Sequence, residues 1–395
     1  MDNVVKLVFE IAKIGKSNKT FPPIKEVKPF HHFFIDDRIH ELNELDGPWT
    51  RREIVARYLL LNAVLDQGPD VIGVRELLKD VTNNLYKNEI RIFHRPLDFF
   101  KELNISIDNI LLSHKSIKEI RSKDWAKTNN SNPERYNLFF AQSQRGLISI
   151  NEILDYSVHR WGVPLSVPYL LEKDLSIKSK ISVQPLIDYL ESFESAEIMA
   201  QQLKSNERYG LGSALGDKAS HLFSKWYIHT FQLNYRKDDG WSEWSYETPF
   251  DSNAGRVLFR TGFLLSVADL RDYIDWGVIQ KNKGKSGKNY IRVTNIRGKK
   301  STKLKTDDLM KNYNEVVIHH MKIRERISNS FEIQKLPNAF LLKSEYGIGD
   351  FDDGLMFIGT NYCFNNEKPN CVKCPIRNSC YAFQKDRSLI EDFTT

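Results

Sequence analysis

The sequence predicts a mostly α-helical protein built as two domains. Three observations lead there: a chain of 395 residues, two apolar stretches at helical spacing, and a cysteine-rich tail too short to bury a core of its own. The first stretch opens with Thr50 and Glu53, a capping-box pair, continues through "YLLLNAVL", and meets Gly68–Pro69, which end a helix. The second begins at Ala219. Leu222, Phe223, Trp226 and Tyr227 follow it at helical intervals, behind a glycine-bearing turn.

Composition narrows the class. Apolar residues at 41% and aromatic residues at 12% describe a globular chain. No apolar run approaches the roughly 18 residues that a membrane span needs. The opening "MDNVVKLVFEIAKIGK" carries Asp2, Lys6, Glu10 and Lys13, which a secretion signal would not. The expectation is a soluble monomer of the cytoplasm, with no membrane partner.

Charge is unevenly spread. Net charge is +6, yet residues 281–305 hold ten Lys or Arg, Lys299 and Lys300 among them, and no acid. Removing those ten from +6 leaves −4 for the remainder. A local basic run suits a loop or hairpin that meets a polyanion; the plainer reading is a solvated linker.

All four cysteines, Cys363, Cys371, Cys374 and Cys380, fall within "NYCFNNEKPNCVKCPIRNSC" and are spaced C-x7-C-x2-C-x5-C. A C-x2-C pair turns two sulfurs toward one centre, and the flanking cysteines complete a four-thiolate set. Such a set holds a [4Fe–4S] cluster or Zn²⁺. Zinc sites usually come as two C-x2-C knuckles, whereas here there is one, with Pro375 after the third cysteine, so iron–sulfur is the favoured reading.

The tail resembles the iron–sulfur loop of helix-hairpin-helix DNA glycosylases of the endonuclease III and adenine glycosylase branch. Lys368, Pro369, Asn370 and Cys371 match that family's Lys-Pro-x-Cys, although the first cysteine gap is one residue longer here. The resemblance implies two further marks upstream, and both have counterparts in the expected order. Gly216, Asp217, Lys218, Ala219 and Ser220 stand in register with the hairpin's G-x-K-T-A. Asp251, Arg256, Val257, Arg260, Thr261 and Phe263 stand in register with the stretch that carries the family's catalytic aspartate. Ala214 replaces the first hairpin glycine, Ser213 the proline, and Asn253 the usual histidine.

What the resemblance implies is a two-lobed helix-hairpin-helix glycosylase fold with a DNA cleft. Residues 51–245 would form a helical barrel lobe, and residues 1–50 with 246–395 a second lobe carrying the cluster loop. The expected partner is double-stranded DNA, in the cytoplasm with the nucleoid. Gly216 and its neighbours would offer backbone N–H groups to a phosphate, with Arg256, Lys299 and Lys300 as further DNA contacts. Gln67 would fill the gap left by an extruded base. Asp251 would stabilise an oxocarbenium-like sugar. Lys218, near a helix N-terminus and shielded from water, would have its ammonium disfavoured and could attack C1′ as a neutral amine, which would make the enzyme a glycosylase and lyase. Taken alone, Asp251 is also a good N-cap and Lys218 an ordinary surface lysine.

The chain is longer than simple members of that family. Lys218 and Asp251 are 33 positions apart, and the added segment carries Trp241, Trp244 and Tyr246. A second aromatic-rich insertion carries His159 and Trp161. These five are candidate walls for an extruded base; packing of the insertions is the plainer reading. Added walls suggest a larger or modified base, in repair or in defence against phage DNA. The wider group includes the clade named for glutamyl- or putrescinyl-thymine pyrophosphorylases. Two alternatives follow: an enzyme that modifies a base already in DNA, and a non-catalytic DNA-binding module.

Overall fold

Apolar residues at helical spacing put most of the described chain into α-helices. The computed structural model describes residues 2–36, 38–66, 71–97, 162–174, 182–233, 240–242, 246–249, 252–263, 279–283, 289–293, 336–342, 344–364 and 369–384. In chain order the elements are α1 (Asp2–Ser17), the two-residue ladders β1–β2 (Phe34–Ile35 with Arg38–Ile39) and β3–β4 (Leu45–Asp46 with Trp49–Thr50), α2 (Arg51–Leu65) and α3 (Val71–Lys87). There follow α4 (162–174), α5 (Pro185–Leu190), α6 (Ala196–Ser205), α7 (Leu211–Ala214), α8 (Asp217–Thr230) and α9 (Ser252–Arg260). The antiparallel hairpin β5–β6 (Ile279–Lys283 with Asn289–Val293) pairs Lys281 with Ile291. Last come α10 (Leu336–Leu341), α11 (Ile348–Asn361) and α12 (Tyr381–Gln384). Among the described residues no helix is long and apolar enough to cross a membrane.

The chain divides into two compact units. One is Phe21–Tyr246; the other combines Met1–Thr20 with Glu247–Thr395. Residues 21–50, assigned from sequence to the second lobe, thus fall in the same compact unit as residues 51–246. The reason is local: Phe30 and Phe33 are fully buried, and Phe30 meets Tyr58 of α2 edge-on at 5.5 Å between ring centroids.

The first unit is organised on α2. Every residue from Glu53 to Leu65 is buried, charged ones included, as in a helix surrounded on all sides. Thr50 caps it, its hydroxyl accepting from the Glu53 N–H at 3.2 Å. The predicted box is only half formed, because Glu53 is spent elsewhere. Its carboxylate accepts from the N–H groups of Leu186 and Ile187 at 3.1 and 3.0 Å, capping α5 from a distance of 133 residues. Arg57, one turn on, donates Nε to Glu53 and Nη1 to the Phe93 carbonyl, both at 2.8 Å, and stacks on Trp49 at 4.3 Å. Burial pushes the Glu53 carboxyl above its ordinary value, and Arg57 and the two backbone N–H groups offset only part of that rise. Helix α8, buried continuously from Ala219 to Ile228, packs on α2 and on α6.

In the second unit α1 lies against α11. Both helices give up side chains at the crossing: a Cβ at Gly354 would strike the Ile11 carbonyl oxygen, and one at Gly15 the Asp350 carbonyl oxygen. Thr20, just past α1, donates its hydroxyl to Asp353 at 2.6 Å. Helix α9 packs on α11 from another side.

Two substitutions test these anchors. Gly354→Ala should force the crossing apart and cost about 2–3 kcal/mol, by analogy with overpacked cores, read as a lower urea midpoint. Arg57→Met should cost more, about 3–5 kcal/mol, because it strands a buried carboxylate; a double change with Glu53→Gln should recover part of the loss.

Candidate functional site

Two places in the described residues gather chemistry, one in each unit.

The first is a cavity lined by all four cysteines. Cys363, Cys371, Cys374 and Cys380 share it with Val257 and Arg260 of α9, Thr261 just past it, Ile358 of α11, and Ile376. A short 3-10 turn at Cys371–Lys373 brings two of the thiols round, with the Cys374 N–H donating to the Cys371 carbonyl at 3.1 Å. None of the four is in a disulfide. Arg260 reaches in: its Nη1 lies 3.4 Å from Cys363 Sγ and donates to the Phe364 carbonyl at 2.5 Å. The Cys380 thiol faces the Arg260 carbonyl at 3.6 Å. Burial, and then the neighbouring Cys363 and Cys371, push the Cys374 thiol up to about 12, so without an added positive charge this sulfur stays protonated. Four thiols around an apolar cavity, with a guanidinium beside one of them, fit an iron–sulfur cluster in donor type and number. Among the described residues, no three His, Cys, Asp or Glu side chains close on a single metal-ion position.

Helix α9 and this loop are clasped by Arg256. The residue is 5% exposed. Its Nε donates to the Cys363 carbonyl, and its Nη2 to the Gly359 carbonyl at 2.7 Å. Sequence reasoning assigned Arg256 to DNA, but its guanidinium is buried and serves two backbone carbonyls. The end of the loop is tied back too. The Tyr381 N–H donates to the Thr261 carbonyl at 3.2 Å. Gly262, at φ +85°, lets the chain pass Tyr381, whose Cβ would lie 2.7 Å from an added methyl.

The second place is the entry to α8. Helix α7, the extended residues Leu215 and Gly216, and α8 form a helix–turn–helix, with Gly216 as N-cap at φ −94° and ψ −177°. Any residue adopts that conformation, and a Cβ at Gly216 would meet nothing within 4 Å. Neither backbone strain nor packing requires glycine here. Lys218 stands in the first turn of α8, its side chain 21% exposed and its Nζ 3.8 Å from Asp66 Oδ1. Asp66, at the end of α2, is fully buried and takes Arg75 Nη2 on its other oxygen at 2.9 Å. Asp66 and Arg75 escaped the sequence reading. Asp66 is 152 positions from Lys218, and no local pattern marks the pair.

The remaining candidates separate. Trp241 is buried, donates its indole N–H to the Phe193 carbonyl at 3.2 Å and tilts against Tyr227. Tyr246 is fully buried and bonds His229 at 2.8 Å. Both therefore pack the added segment onto the body and do not wall an open pocket. Asp251, Gln67, Trp244, His159, Trp161, Lys299 and Lys300 lie outside the described residues. No protein-family profile, curated protein or solved structure matches this chain.

The clasp predicts that Arg256→Met will lower stability by about 2–3 kcal/mol in chemical denaturation, since hydrogen bonds to a charged donor are lost and two carbonyls are left buried. Arg256→Lys should not restore it, because one ammonium cannot span both carbonyls in the guanidinium's fork geometry.

Proposed function

We propose that this chain is a helix-hairpin-helix DNA glycosylase with a [4Fe–4S] cluster in its C-terminal loop. It flips a damaged or modified base out of duplex DNA and breaks the N-glycosidic bond. One observation carries the reading: four thiols surround one cavity against α9, the helix that starts directly after Asp251. A loop of that kind, following a helix–turn–helix entered through Gly216, repeats the order of marks on which the family resemblance rests.

Cys363, Cys371, Cys374 and Cys380 would hold the cluster, which, when bound, supplies a rigid tie among four points of the loop. The single C-x2-C pair, with Pro375 after the third cysteine, favours the cluster over zinc. The open space beside Gly216, at the N-terminus of a 14-residue helix, suits close approach of a phosphate. The basic hairpin β5–β6 and the residues after it supply further backbone attraction.

In the reaction the C1′–N bond breaks and its electron pair leaves on the base, with the Asp251 carboxylate stabilising the sugar cation. Water then bonds to C1′ and its proton passes to the base. Lys218 is held in an ion pair with the buried Asp66 carboxylate, Nζ to Oδ1 3.8 Å. In this reading water is the nucleophile, and Lys218 a cation that meets a DNA phosphate.

Mass spectrometry on duplexes carrying varied damaged and hypermodified bases tests the proposal. Wild type should free a base and leave an abasic site; Asp251→Asn should free none. Borohydride should trap no covalent adduct with wild type at neutral pH. A change in mass of a DNA-bound nucleoside, with no base freed, would mean a base-modifying enzyme instead. Protein purified without oxygen should contain about four iron and four sulfide per chain. Gly216→Val should leave the melting temperature unchanged and weaken DNA binding about tenfold, roughly the worth of one charge-assisted phosphate contact.

A further inference from the structure

The hairpin β5–β6 sets regular backbone inside the basic run of the chain. Residues 281–305 hold ten Lys or Arg and no Asp or Glu. The hairpin reaches into the first part of that run as an antiparallel pair, Ile279–Lys283 with Asn289–Val293. Among the described residues no third strand joins it.

Register decides which residues share a face. Directly opposed residues of an antiparallel pair lie on one face, and the face alternates along each strand. Ile279 opposes Val293, Lys281 opposes Ile291 and Lys283 opposes Asn289, so these residues share one face. Gln280 opposes Arg292 and Asn282 opposes Tyr290, so these share the other. The aliphatic residues of the ladder, Ile279, Ile291 and Val293, all fall on the first face. The second holds two amides, a guanidinium and a phenol.

Packed on an apolar core, the second face would leave polar groups unpaired. It suits either water or a polar partner, and the charge points to a polyanion: the strands hold Lys281, Lys283 and Arg292 and no acid. The residue types then narrow the partner. Asn and Gln pair with adenine N6 and N7, and Arg with guanine O6 and N7, each through two bonds in the major groove. Dimensions agree, since strands about 5 Å apart fit a groove about 12 Å wide, which admits a two-stranded ribbon. The major groove of duplex RNA is too deep and narrow for side chains to read.

We propose that β5–β6 enters the major groove of duplex DNA and reads base sequence with Gln280, Asn282 and Arg292, while Lys281 and Lys283 meet the bordering phosphates. The hairpin then adds sequence preference to the backbone attraction already assigned to it. The proposal rests on the glycosylase reading only for the duplex as partner.

Undamaged duplexes with a randomised central stretch are selected on the full-length protein, and the bound pool is sequenced. Wild type should enrich one sequence and bind it at least about tenfold more tightly than a scrambled duplex, the worth of one bidentate base contact. Asn282→Ala combined with Arg292→Lys keeps the charge but loses the paired bonds. It should bind both duplexes within about twofold of each other, with affinity for the scrambled one unchanged. Lys281→Gln combined with Lys283→Gln should weaken both duplexes alike and lower the slope of log K against log salt by about two. No enriched sequence from wild type, or one that the Asn282 and Arg292 variant still prefers, would overturn the proposal. Sequence preference with no base freed from any modified duplex leaves the hairpin assignment standing and sinks the glycosylase reading. Base release that ignores both flanking sequence and the hairpin variants does the reverse.

Discussion

The buried ion pair of Glu53 and Arg57 is the constraint on which the Phe21–Tyr246 unit depends. Two charges inside a protein are costly unless every remaining lone pair and proton finds a partner. Here the partners are the backbone of other elements. Glu53 caps α5, and Arg57 reaches the Phe93 carbonyl and the face of Trp49. The pair thus fixes α2 against three segments that are far apart in sequence. It also holds one end of the helix whose other end carries Asp66. The same helix therefore carries a structural ion pair in its first turns and, at its end, a carboxylate that takes Arg75 and Lys218.

Much of the local architecture was legible in the residues. The apolar spacing after Ala219 and the turn at Gly216 mark α8, and Thr50 marks the start of α2. The cysteine spacing announces four thiols close together in space, and they line one cavity. These features are short-range: a period, a cap, a turn. What stayed hidden depends on contacts between residues many positions apart. Glu53 has the right place for a capping box yet serves α5. Arg256 stands in the register of a DNA-contacting motif yet its guanidinium is consumed by two carbonyls. Trp241 and Tyr246 sit in an aromatic-rich segment, and composition cannot say whether an aromatic ring faces a ligand or a core. Asp66 gives no local sign of the lysine it meets.

The two candidate places differ in how their polar groups are treated. Around the cysteines the backbone is thoroughly tied: Arg256 and Arg260 bond the carbonyls of Cys363 and Phe364, and Tyr381 that of Thr261 just past α9. That is the pattern of a scaffold. At the entry to α8, by contrast, side chains pair with side chains: Arg75 and Lys218 both reach the Asp66 carboxylate. The distinction lies in bookkeeping of donors and acceptors and needs no appeal to similarity with other proteins.

The glycine crossing of α1 and α11 bears on how the protein is made. Helix α1 is translated well before residues 350–354, whose close contacts with Ile11 and Gly15 seat it. The Phe21–Tyr246 unit is continuous in sequence and complete long before then. Folding during translation should therefore run out of register with chain order, with the middle first and the amphipathic N-terminal helix left waiting for its partner. Until α11 emerges, the apolar face of α1 lacks the helix that covers it.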